Sequence, residues 1–147
     1  MIMLLLLVIA GGIYKFIFQG TVSVSTDGRQ VIHLNAGERD LVLAEMRAFL
    51  TSVQQITQGV AENDMKQVAE YARKVGKAAQ GEVPGTLMGK LPMPFKRLGS
   101  DTHSKFDQLA MDADDLGDRD HALSELSSIM QNCIGCHATY RIDITSE

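Results

Sequence analysis

The chain has 147 residues, 45% of them hydrophobic, and its 14 Lys+Arg against 18 Asp+Glu give a net charge of −4. That is one domain of ordinary size with a short appendage, too apolar for a disordered chain and of the wrong charge for a general nucleic-acid binder. The absence of Trp and only 5% aromatics argue against a large all-β sandwich, and two cysteines make no disulfide framework.

The first 18 residues, Met1 to Phe18, are apolar except for Lys15. As a helix rising ~1.5 Å per residue they span about 27 Å, close to the ~30 Å hydrocarbon core of a bilayer. Lys15 lies near the far end, where its stem can snorkel to the interface. A cleaved signal peptide would want a basic n-region and a small-x-small site, but Val8-Ile9-Ala10 leaves too short a leader. A buried core helix would normally keep one polar face. The expectation is an uncleaved membrane anchor over residues 1–19, with orientation poorly signalled by the flanking charges.

A hairpin signal follows in residues 20–35. Thr21 to Thr26 alternates, Asp27-Gly28 suits a type I′ turn, and Arg29 to Leu34 returns. A lone hairpin is marginal in water and must lean on the helices that follow or on the membrane surface.

From Asn35 the apolar period becomes helical, and residues 36–147 read as one domain. Asn35 and Glu38 form a capping box. The first helix then carries Val42, Met46, Phe49, Val53, Ile56 and Val60 on one stripe. A second helix starts at Asn63-Asp64 and carries Met65, Val68, Ala72, Val75 and Ala79. The one long connection, Gly81 to Pro94, holds all three prolines. Pro94 suits the first turn of a third helix with Phe95, Leu98, Phe106, Leu109, Ala113 and Leu116 inward. After Gly117-Asp118 a last helix aligns Leu123, Leu126, Met130, Cys133, His137 and Tyr140. The predicted fold class is all-α, an antiparallel four-helix bundle with an N-terminal transmembrane helix and a short β-hairpin between them.

Cys133-Ile-Gly-Cys136-His137 is a C-x-x-C-H sequence, the c-type haem attachment motif. Two thiols three positions apart on a helix point to one side, where each can form a thioether to a haem vinyl group, and the adjacent imidazole can be directed at the iron. A thioredoxin-like pair would instead follow a strand and open a helix. A zinc site would need further ligands at metal spacing, whereas His33, His103 and His121 are scattered. An inert pair would leave His137 a coincidence. His103 and His121 read as surface or cap-region residues, although His103 would compete for the iron in a different register.

A helical bundle whose only haem motif lies near the C-terminus, followed by Ala138-Thr139-Tyr140-Arg141, resembles the class II c-type cytochromes, the cytochrome c′ superfamily. The resemblance covers roughly Glu38 to Ile142; C-x-x-C-H-x-x-Y-R is specific, while the rest matches in helix order and pattern only. It implies one covalently attached haem c held by Cys133 and Cys136, with His137 as proximal iron ligand. It implies export as well: an inner-membrane protein with its N-terminus inside and its haem domain in the periplasm. Members often dimerise through the first two helices, so a homodimer is also implied.

In that family one residue of the first helix faces the iron. Methionine there gives a six-coordinate, electron-transferring centre, and a bulky apolar residue a five-coordinate iron that favours NO or CO. Counting back from Gly59 by the family's helix length places Leu43 at that point, while the heptad seam places Met46 there. Met46 is the expected distal ligand, since thioether ligation of His-bound haem raises its potential, and Leu43 is the alternative. Arg141 and Arg39 are candidates for the haem propionates because a guanidinium grips a carboxylate bidentately, with Arg47 a weaker third.

Charge is uneven: Asp64 to Arg97 has seven bases and three acids, Asp101 to Glu125 eight acids and two bases. Such asymmetry can steer a redox partner or simply mark solvated helix faces. The leading expectation is a membrane-anchored periplasmic monohaem cytochrome passing single electrons between redox partner proteins, and not an enzyme. The alternative is a five-coordinate gas-binding or sensing haem protein; a third reading is a non-haem thiol or zinc protein.

Overall fold

The computed structural model describes residues 1–81 and 83–145, so the last two residues of the 36–147 domain lie outside it. The chain is mostly helical with one small sheet. Its elements are α1 (Ile2–Ile13), which continues as a π-helical segment (Tyr14–Gln19), β1 (Val22–Val24), β2 (Gln30–Leu34), α2 (Ala36–Glu62) and α3 (Met65–Arg73). There follow a 3₁₀ turn (Lys77–Gln80), α4 (Gly85–Lys90), α5 (Met93–Asp115), α6 (Arg119–Thr139) and β3 (Tyr140–Ile144).

Ile2–Gln19 forms one apolar run of 18 helical residues, and among the described residues none of them is buried by the rest of the protein. It meets the domain at a tight joint. Gly20 takes φ +67° and ψ −160°, a region essentially reserved for glycine, and a Cβ there would strike the backbone of Lys90, Leu91 and Pro92. Thr21 N–H donates to the Lys90 carbonyl at 2.8 Å, and Lys96 Nζ donates to the Ile17 carbonyl at 3.1 Å.

The hairpin forms, with Val22 opposite Ile32 in an antiparallel pair, but its turn differs from the expected type I′. Among the described residues Asn63 is the only non-glycine with positive φ, so Asp27 does not adopt the left-handed conformation that turn requires. Instead Gly28 alone is left-handed, at φ +84°. Its N–H donates to the Ser25 carbonyl, while Ser25 N–H donates to Arg29 O. This is a three-residue loop closed by a bulge glycine. The support that the hairpin needs comes from the other end of the chain. β3 pairs in parallel with β2, Gln30 against Tyr140 and Leu34 against Ile144, making a sheet of order β1-β2-β3.

The Asn35 capping box is present: Glu38 N–H donates to Asn35 Oδ1 at 2.8 Å, and Asn35 N–H donates to Glu38 Oε2 at 3.0 Å. Asn63, left-handed, ends α2, and Asp64 caps α3 through the Gln67 N–H. α2 packs on α3, α3 on α5, α5 on α6, and α6 back on α2 through a thinner contact. One apolar cluster fills the space between them, with Phe49, Ile56, Val68, Phe106, Leu109, Leu126 and Ile129 at its centre. A second joins the sheet to the helices: Ile32, Leu34, Val42, Leu87, Leu91 and Tyr140.

Several helix assignments shift. α3 stops at Arg73 and a 3₁₀ turn follows, which leaves Ala79 exposed. The long connection contains α4, whose Leu87 is buried. Leu116 and Leu123, expected inside, are 60% and 48% exposed. The reason on α6 is a rotation of about one position: the buried stripe is Ala122, Leu126 and Ile129. α6 ends at Thr139, so Tyr140 and Arg141 belong to a strand rather than to the last helical turn.

Candidate functional site

Cys133, Cys136 and His137 lie in the last two turns of α6. The rotation of the helix puts the two thiols, not the imidazole, next to the buried stripe. Both are free and half-buried. Cys133 Sγ points at the Ile129 carbonyl, 3.7 Å away. Cys136 packs against the second cluster, and burial followed by the neighbouring Cys133 sulfur pushes its thiol up to about 11. His137 is exposed rather than on the apolar seam, and among the described residues its ring makes no hydrogen bond.

The sheet braces this end of α6. Arg29 Nη1 donates to the His137 carbonyl at 3.3 Å. Arg29 is itself held by Asp27, whose carboxyl Arg29 and then Ser25 keep far below its usual range. Tyr140 anchors the chain immediately after the motif, edge-on to Phe95 with ring centroids 5.3 Å apart. The hairpin therefore fixes the direction in which the chain leaves the Cys-His helix.

Met46 and Leu43, which the sequence left as alternatives on α2, occupy different surroundings. Met46 packs against both apolar clusters, and it shares the second with Cys136. Leu43 is half-buried and belongs to neither. Arg141 is engaged by Asp143, with Nη2–Oδ1 at 2.8 Å, and lies 4.0 Å from Asp27. Among the described residues Arg39 has only Asp40 as an ion-pair partner, at 3.9 Å, and Arg47 is exposed.

His103 is not a surface residue: it is 2% exposed. Its Nδ1 lies 2.8 Å from the Val75 carbonyl and its Nε2 3.1 Å from Glu45 Oε1, and its ring packs on Phe49. Both nitrogens face acceptors, an arrangement that only the doubly protonated ring satisfies. Burial opposes that charge, but Glu45 and Val75 outweigh it and raise the pKa. His103 also borders a hollow of about 770 Å³, lined by residues of α2, α4, α5 and the links beside them, among them Leu41, Leu87, Leu91 and Phe95. None of Cys133, Cys136 and His137 lines it. The hollow and the thiol chemistry are separate places.

A further group escaped sequence reading: Asp112, His121 and Glu125 converge across the α5–α6 turn. The i,i+4 spacing of His121 and Glu125 was visible in the sequence. Asp112 reaches them only because α5 folds back on α6. Compared with protein families, curated proteins and solved structures, the chain matches none.

Proposed function

We propose that this chain is a membrane-anchored c-type cytochrome carrying one covalent haem and passing single electrons. The observation that carries the reading is the pair of free, half-buried thiols three positions apart on α6 with an imidazole beside them whose ring makes no hydrogen bond among the described residues. The donor chemistry fits: two sulfurs on one side of a helix, and a His free to bind iron. Haem, when bound, supplies a one-electron iron couple.

The residues of the chain have distinct parts. Cys133 and Cys136 fasten the group, and His137 holds its metal. Met46 is the thioether within the cluster that Cys136 touches, and this favours it over Leu43 as the second axial ligand. That choice favours electron transfer over the gas-binding alternative, which needs a position without a donor. Arg39 has the freer guanidinium for a propionate, since Arg141 is already engaged. Val42 and Tyr140 border Cys136 in the second cluster and shield that side of the site, while His137 is open to solvent. We read α2, α3, α5 and α6 as an antiparallel four-helix bundle, and Ile2–Gln19 as the span that holds the domain at the periplasmic face of the inner membrane, where c-type haem is attached.

Two measurements test the reading. Intact mass and acid–acetone extraction of the protein isolated from a membrane fraction should show one haem that stays with the polypeptide, and Cys133→Ala with Cys136→Ala should abolish it. A colourless protein of unmodified mass would refute it.

A further inference from the structure

At the end of α6 far from the Cys-His motif, three side chains from two helices point at one spot. His121 and Glu125 lie one turn apart on α6, and Asp112 comes from the last turn of α5. Asp112 Oδ2 is 3.2 Å from His121 Nε2, Glu125 Oε2 is 3.7 Å from the same nitrogen, and all three donor atoms lie within 4.8 Å of one another. Donors held ~2.1 Å from a tetrahedral zinc ion sit ~3.4 Å from each other. The two separations from the imidazole nitrogen fall on either side of that spacing.

Independent support comes from the oxygen at the centre. Glu125 Oε2 is buried, on a side chain 19% exposed, and among the described residues it makes no hydrogen bond, a state that is costly for a neutral oxygen and more so for a charged one. Burial first, and then the Asp112 charge, raise the Glu125 pKa. The polar groups beside it are His121 Nε2, 3.7 Å away, and the Asp112 carboxyl. Asp112 is already aimed: Gln108 Nε2 donates to its Oδ1 at 2.9 Å, which leaves Oδ2 to face the histidine. Orientation of a carboxylate by such a neighbour is how metal sites hold their ligands in place. The Asp118 cap, taking the N–H groups of Asp120 and His121, fixes the backbone under the imidazole.

We propose that Asp112, His121 and Glu125 form a binding site for a borderline divalent ion of the zinc class, one imidazole nitrogen and two carboxylate oxygens with the remaining position open to solvent. The ion replaces the protons that the cluster otherwise shares, and ties the end of α5 to the start of α6 across the Leu116–Asp118 turn. Glu125 is eight residues from Cys133, ~12 Å along the helix axis, so this site is separate from the thiols and does not rest on the haem reading.

The test uses the full chain as isolated, treated with EDTA, returned to metal-free buffer near pH 7 and titrated calorimetrically with Zn²⁺ alone. The expected result is one ion per chain, with heats that change with buffer because protons are released. Affinity should fall at least about tenfold in His121→Ala and in Glu125→Gln, and added Zn²⁺ should raise the melting temperature of the wild type only. Glu125→Gln keeps the side chain's shape, so it carries the comparison if His121→Ala does not fold. Undiminished binding in both variants would place the ion elsewhere, at His33 or the Cys-His motif, and overturn the proposal. No saturable binding would overturn it too, leaving Asp112 and Glu125 to share a proton.

Discussion

Met46 sits on α2 where the two apolar clusters meet, so Met46→Ala perturbs both packing and the proposed iron ligand. Truncating a fully buried Met costs ~2–5 kcal/mol. Met46 is only partly buried, so its packing loss falls near ~1–2 kcal/mol, or about 3–6 °C in melting temperature for a chain of this size. Leu43→Ala, outside both clusters, should cost under about 1 kcal/mol. The functional readout is the ferric optical spectrum. Wild type should be low-spin with a methionine–iron charge-transfer band, and the band should vanish in Met46→Ala while surviving in Leu43→Ala. Pairing the spectrum with urea unfolding separates ligand loss from general loosening. A band that persists in Met46→Ala, or a high-spin wild type that binds CO readily, refutes the assignment and turns the reading toward gas binding.

Gly20→Ala should destabilise the joint between the apolar helix and the domain by more than the ~1–3 kcal/mol of its backbone strain. The added Cβ also meets only backbone atoms; limited proteolysis at residues 19–22 should speed up, and an unchanged rate would contradict the geometry. Glu38→Gln removes the ion pair with Lys90, 2.6 Å apart, at a residue 6% exposed. The expected loss is ~1–2 kcal/mol in urea titrations, discounted because Lys90 is partly solvated. His103 has a folded pKa raised above 6.5, so its contribution is complete below pH ~6.5 and is lost as pH rises through the folded value. Unfolding free energy should therefore decline as pH rises above about 6.5, and the decline should flatten in Glu45→Gln; a wild type insensitive to pH there would oppose the imidazolium assignment.

The parts legible in the sequence were those written in local order. The Asn35–Glu38 box acts within one turn of chain, and it forms as read. The apolar stripe of α2 repeats with the helix, and Val42, Phe49, Ile56 and Val60 are buried as it requires. Likewise the thiol spacing of Cys133 and Cys136 is a property of one helix. The rotation of α6 was not legible, because neighbours such as Ile129 and Met130 are similarly apolar and only the partners α5 and α2 choose which one faces inward. His103 looked like a surface residue because its stabilising acceptors, the Val75 carbonyl and Glu45, lie 28 and 58 positions away in the chain.

Local pattern thus determined where the long helices begin, which stripe of α2 is apolar, and that two sulfurs and an imidazole share the end of one helix, because hydrogen bonds and side-chain periodicity within a few residues settle those questions. Tertiary structure alone decided that Tyr140–Ile144 leaves the helix to pair with β2, that Asp112 meets His121 and Glu125, and that Met46 and Cys136 border one cluster. Each of those joins residues distant in the chain, and no short-range preference encodes the closure that brings them together.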